Sequence, residues 1–141
     1  MIKNSRIKNY GIPNNIMSLL QYILKESNHH KYAYHVTRRE NWDSIKRKGL
    51  IPSVPEDFEE DYEAVYLFPT RQDAETALGQ WLGDRIDEWE EENGEEYDEI
   101  VIKIDISEVD PYNIVQDVEY ELAVLEPIPP NKILSIEPEY R

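Results

Sequence analysis

The chain has no cysteine among its 141 residues, which excludes disulfides and thiolate zinc sites and removes any argument for an oxidising compartment. Glycine is scarce, with five in all. The glycine-bearing signatures GxGxxG, GxxxxGK followed by Ser or Thr, and GxSxG are absent, and so is HExxH. Standard dinucleotide, P-loop, serine-hydrolase and zincin chemistry therefore fall away. No apolar run reaches the length of a signal-peptide core or a membrane span, so the expectation is a soluble protein with the cytoplasm as its default location and no membrane partner.

What is present is charge, distributed unevenly. The net charge is −15, which argues against general affinity for nucleic acid, because phosphate backbones are bound by clustered Lys and Arg. Residues 1–50 nevertheless carry 10 of the 15 basic residues and 3 of the 30 acidic ones, while residues 51–141 carry the rest. The chain is thus polarised into a basic first third and a strongly acidic remainder. Its length fits one domain spanning 1–141, with residues 1–13 as a flexible arm lacking periodicity.

The apolar spacing of Ile16, Leu19, Leu20, Ile23 and Leu24 predicts a helix over 15–27. His29 and His30 follow it in a polar turn with no partner at metal-ligand spacing, so no metal is expected. Lys31 to Val36 reads as a strand. Thr37 with Glu40 forms a capping-box pattern for a helix that Gly49 ends. PSVPEDFEEDYE, residues 52–63, reads as an acidic surface loop, and Ala64 to Phe68 as a short buried strand. Thr70 caps a helix expected to run to about residue 90, followed by an acidic connection over 88–99. Ile100, Ile102, Ile104 and Ile106 alternate with polar neighbours, which predicts a half-buried strand. Asp110-Pro111 marks a turn and 112–115 a further short strand. Residues 118–125 are expected to form one strand and 132–136 the last. Early helices and late strands with few crossovers indicate α+β, with a mixed or antiparallel sheet.

Three residues stand where the fold could gather them for chemistry: His35 at the first strand's end, Tyr66 in AVYLF, and Glu121 on the less apolar side of its strand. YHVT, the helix ending in KRKGLIP, VYLF, the TRQDA helix start and ELAVLEPIPPNKI together resemble the ADP-ribosyltransferase superfamily. The resemblance is to its His-Tyr-Glu branch, which includes the poly(ADP-ribose) polymerases, and to the related RNA 2′-phosphotransferases, over about residues 32–136.

The resemblance implies a split-sheet ADP-ribosyltransferase-like fold and NAD as substrate, with ADP-ribose passed to a protein or nucleic-acid acceptor. It implies that His35 binds the adenosine ribose, that Tyr66 packs at the nicotinamide end and that Glu121 holds the nicotinamide ribose. An adjacent carboxylate would stabilise the oxocarbenium-like sugar formed as nicotinamide leaves. Thr37, Arg38, Arg39 and the N–H groups after Thr37 would suit the pyrophosphate. Val36 stands where the family carries glycine and Ala77 where it carries a second aromatic, for which Trp81 offers a ring one turn later. Glu119 and Glu121 resemble the E-x-E pair of the arginine-modifying branch, which makes Glu119 the acceptor-side carboxylate. Two alternatives remain: a non-enzymatic acidic protein on the same fold, whose loops 56–63 and 87–99 meet a basic partner by imitating nucleic acid, and RNA 2′-phosphotransferase-like activity.

Overall fold

A computed structural model describes residues 30–53 and 63–139. The expected helix over 15–27, the arm at 1–13, His29 and nearly all of the acidic loop at 56–63 lie outside the described residues. Among the described residues there are six strands: β1 (Tyr32–Arg38), β2 (Val65–Leu67), β3 (Glu99–Asp105), β4 (Ile114–Val118), β5 (Glu121–Val124) and β6 (Ile133–Glu137). With them are three α-helices, α1 (Trp42–Lys48), α2 (Arg71–Leu78) and α3 (Trp81–Asn93). The class is α+β. Among the described residues, no helix is long and apolar enough to cross a membrane.

The strands form two antiparallel sheets in the orders β1-β3-β6 and β2-β5-β4. In the first sheet β3 is central, and the predicted alternation places Ile100, Ile102 and Ile104 on the core face, with Ile106 continuing just beyond it, all at 0% exposure. Fully burying such a side chain stabilises the fold by roughly 1.5–3 kcal/mol. Leu67, Leu122, Val124 and Ile128 from the other sheet and its flanks meet this face in one continuous core. Val101, on the opposite face of β3, is also largely buried, so the strand is covered more fully than alternation alone suggested.

The main chains of the two sheets are bridged at Tyr34 and Phe68. Tyr34 N–H donates to the Phe68 carbonyl at 2.9 Å and Phe68 N–H returns to the Tyr34 carbonyl at 2.7 Å. Carried one step further, this antiparallel ladder would pair Val36 with Tyr66. Instead β1 and β2 diverge beyond the bridge, and a cleft opens between them.

Several local expectations are corrected. Thr37 does not cap a helix: β1 stays paired to β3 as far as Arg38 opposite Glu99, which leaves Thr37 buried in the strand. Its hydroxyl accepts from the Asn41 side chain at 2.9 Å, and the following 3-10 turn, Arg39–Asn41, has no side-chain cap. Gly49 does end α1 at positive φ (78°), and Leu50 after it bridges Ile128. The Thr70 cap forms as expected, its hydroxyl accepting from Asp73 N–H at 3.0 Å. The long helix after it is two helices, broken at Gly79 and Gln80. The first turn of α3 then passes so close to α2 that a Cβ at Gly83 would lie 2.1 Å from the Leu78 carbonyl. α3 continues to Asn93, so half of the expected acidic connection is helical. Residues 118–125 are not one strand: Val118 pairs with Glu121 across a tight turn at Glu119-Tyr120, which leaves Val118 and Tyr120 on the surface.

Candidate functional site

The cleft beyond the Tyr34–Phe68 bridge has a volume of about 260 Å³, and its walls include His35, Thr37, Tyr66, Trp81, Tyr97 and Glu121. The three residues singled out for chemistry come from β1, β2 and β5 and therefore share one depression, although they lie in two different sheets. Each is positioned by a distinct local cause. His35 faces inward because it stands opposite Ile102 in the β1–β3 register. Tyr66 and Ala123 are paired residues of β2 and β5, so the tyrosine packs against Ala64 and Ala123 on the side away from the main core. Glu121 begins β5 directly after the Glu119-Tyr120 turn and shares the Ala123 side by strand alternation.

The contact between His35 and Tyr66 fixes a protonation state. His35 Nδ1 lies 3.0 Å from the Tyr66 carbonyl oxygen, and a carbonyl can only accept, so Nδ1 carries the hydrogen. Burial of the ring lowers its pKa from the usual 6.5, and the Tyr66 carbonyl opposes that effect without reversing it. At neutral pH His35 is thus an uncharged imidazole whose Nε2 is a hydrogen-bond acceptor, suited to a hydroxyl group. The same contact occupies a carbonyl that a continued β-ladder would have used, so the histidine side chain closes the gap where the strands part.

Trp81 contributes the aromatic wall. Its ring lies 6.2 Å from that of Phe68 and 6.4 Å from that of Tyr120, both tilted. Ala77 is buried in the helix pair one turn earlier, consistent with Trp81 carrying the ring at this end of the cleft.

The positive groups are arranged differently from the expected phosphate cradle. Arg38 pairs with Glu40 and Glu95, and its guanidinium lies 4.2 Å from the Trp89 ring centre. Arg39 donates to the Pro138 carbonyl at 2.7 Å and the Glu139 carbonyl at 3.2 Å, and also pairs with Asp98. Its backbone N–H donates to the Asp98 carbonyl, so that amide is not available to an anion. Neither arginine is among the residues lining the His35 cleft. Thr37 lines it, but with its hydroxyl engaged by Asn41. Glu119 stands in the exposed β4–β5 turn, where its carbonyl accepts from Gln116. Among the described residues no set of three His, Asp or Glu side chains is gathered as a metal site.

Tyr97 is a wall of the cleft that the sequence did not suggest. Its N–H donates to Glu90 at 2.9 Å, which ties the loop to α3. Burial raises the phenol pKa above the usual 10, with Arg38 opposing and Glu99 reinforcing the shift, so the group remains a hydrogen-bond donor. The available signal was a lone aromatic within the acidic run EEYDE. No protein-family model matches the chain, and no curated protein matches it.

Proposed function

We propose that the protein is an NAD-dependent ADP-ribosyltransferase of the His-Tyr-Glu type, built on an ADP-ribosyltransferase-like split sheet and acting on a macromolecular acceptor. The observation that carries this reading is the lining of one cleft by His35, Tyr66 and Glu121, at the point where two antiparallel sheets diverge. In the proposed reaction the bond between nicotinamide nitrogen and ribose breaks, and nicotinamide leaves with the bonding pair. The acceptor nucleophile then bonds to the same ribose carbon and loses its proton. Glu121 holds a ribose hydroxyl by a charge-assisted hydrogen bond and stabilises the positive charge that develops on the sugar. The Nε2 acceptor of neutral His35 takes a hydroxyl of the other ribose, and Tyr66 with Trp81 supplies flat apolar surface for the nicotinamide. The cleft is near the lower end of ligand pockets, which run to roughly 300–1,000 Å³, and is of a size to hold one end of such a molecule.

The test is NAD-dependent nicotinamide release by the wild type and by Glu121→Gln. Loss of an electrostatic contact made in the transition state lowers turnover by roughly 10²–10³-fold. Because residue 121 is half-buried at a strand start, the Tm of the variant should shift by less than about 4 °C. Unchanged release in this variant rejects the role of Glu121, and a wild type that neither consumes NAD nor gains Tm with it rejects the reading as a whole.

A non-enzymatic acidic interaction protein is a second reading, favoured by the exposed carboxylates of Asp87, Glu88, Glu91, Glu92, Glu95 and Glu96. Its partner binding would survive mutation of His35 and Glu121. RNA 2′-phosphate chemistry has less support, because Arg38, Arg39 and Arg71 are each already paired with carboxylates.

A further inference from the structure

A second cleft of about 420 Å³ adjoins the first, sharing Leu82 and Tyr97 with it, and its other walls include Arg38, Arg85, Glu88, Trp89 and Glu92. Arg85, Glu88, Trp89 and Glu92 fall at i, i+3, i+4 and i+7 on α3, so they form one continuous stripe of that helix. The stripe faces the end of β1 through Arg38 and the loop before β3 through Tyr97. Trp89 and Tyr97 meet edge to face, with ring centres 5.3 Å apart. This cleft therefore combines an aromatic floor with two carboxylates and two guanidiniums, and it is continuous with the first cleft through Leu82 and Tyr97.

We propose that this second cleft docks the protein acceptor by taking an arginine or lysine side chain from a basic segment of it. The proposal rests on the transferase reading for the purpose of docking, whereas binding itself requires no NAD. Charge complementarity selects the occupant. Residues 87–99 contain nine carboxylates and no basic residue, which outweigh the Arg38 and Arg85 of the lining, so the field around the cleft attracts cations and repels a phosphate backbone. The molecule also contains an internal precedent: the Arg38 guanidinium already lies over Trp89 while pairing with Glu40 and Glu95. Aromatic face plus carboxylate is thus a working guanidinium site at this position. Glu88 and Glu92, one turn apart, offer carboxylates to an incoming side chain beside the Trp89 face that Arg38 covers.

The experiment titrates the whole protein against a fluorescein-labelled arginine- and lysine-rich peptide and reads anisotropy, without NAD. Binding should weaken by roughly tenfold as salt rises from about 0.05 to about 0.3 M. Reversing the cleft carboxylates with Glu88→Lys and Glu92→Lys together should weaken it by at least about tenfold. The matched control, Glu91→Lys with Glu96→Lys, changes net charge equally at exposed positions that do not line the cleft, and should cost no more than about twofold. Equal loss in both double variants overturns the cleft in favour of a diffuse acidic surface. No peptide binding, or tighter binding of a single-stranded oligonucleotide than of the peptide, overturns the proposal. The NAD-induced Tm shift, measured on the same proteins, separates the two readings. An intact shift without peptide binding rejects the docking cleft alone, and peptide binding without any shift rejects the transferase reading alone.

Discussion

The β1-β3-β6 and β2-β5-β4 sheets have three strands each, but they are held in different ways. β1 and β3 pair over seven residues, and the core face of β3 is closed by isoleucines that have no exposure at all. β2 has only three residues, and β4 runs from half-buried Ile114 and Val115 out to exposed Gln116, Asp117 and Val118. The deeper sheet supplies one candidate site residue, His35, and the shallower one supplies Tyr66 and Glu121. A long, buried ladder fixes one wall, whereas short strands leave their ends near solvent, where a side chain can be presented to a ligand. The difference shows how a small domain can draw its long buried ladder from one sheet and most of its candidate chemistry from another that shares the same core.

The largest effect is expected where the exit of α1 crosses the segment after β5. Gly49 has φ of 78°, and a Cβ there would sit 2.0 Å from the Ile128 carbonyl oxygen, so Gly49→Ala combines backbone strain with a collision against main chain. A loss on the order of 4 kcal/mol is expected by denaturant unfolding. A loss under about 1 kcal/mol would mean that the close approach of Gly49 to the Ile128 main chain is not rigid. Next comes Ile102→Ala, at the centre of the deep sheet. Truncation there should cost roughly 2–5 kcal/mol, and a milder outcome would contradict the contrast in depth.

A smaller effect comes from His35, which links the two sheets through the Tyr66 carbonyl. Its folded pKa lies below 6.5 because the ring is buried, so below about pH 6.5 the unfolded chain takes up a proton that the folded one resists. Stability from this group is present above pH 6.5 and is lost as pH falls toward the lowered folded value. The Tm of the wild type should decline across that window, and His35→Gln should flatten part of the decline. Identical pH profiles would show that the ring titrates normally. The smallest change is expected at Val118, 40% exposed at the outer end of β4, where Val118→Ala should alter stability by no more than about 0.5 kcal/mol in the same unfolding assay.

Much of this architecture was legible where one physical rule dominates. The isoleucine alternation of β3, the Thr70 cap and the position of Gly49 each follow from local chemistry. The errors share a cause, which is that tertiary pairing overrode a local motif or a turn lacked its usual residues. Thr37 followed by Glu40 satisfies the capping pattern, yet pairing with Ile100 keeps Thr37 extended. Glu119-Tyr120 contains no Gly, Asn or Pro, so the β4–β5 reversal left little trace in the sequence. Gly79-Gln80 is a weak break, and the apolar stripe continued through it. For the site, strand order places His35, Tyr66 and Glu121 on the walls of one cleft. The expected pyrophosphate role of Arg38 and Arg39 could not take into account that Asp98, Glu95 and the segment after β6 would engage them.

The two reciprocal hydrogen bonds between Tyr34 and Phe68 make the molecule a clamshell with a very short hinge. Below that hinge a shared core resists separation, and above it the imidazole of His35 reaches the Tyr66 carbonyl across the gap. Motions that widen the cleft need not disrupt either sheet's own ladder, so they belong to the low-energy, sub-global class of openings. The amides of Tyr34 and Phe68 should therefore stay protected while the cleft widens, and their hydrogen exchange would report loss of the hinge itself.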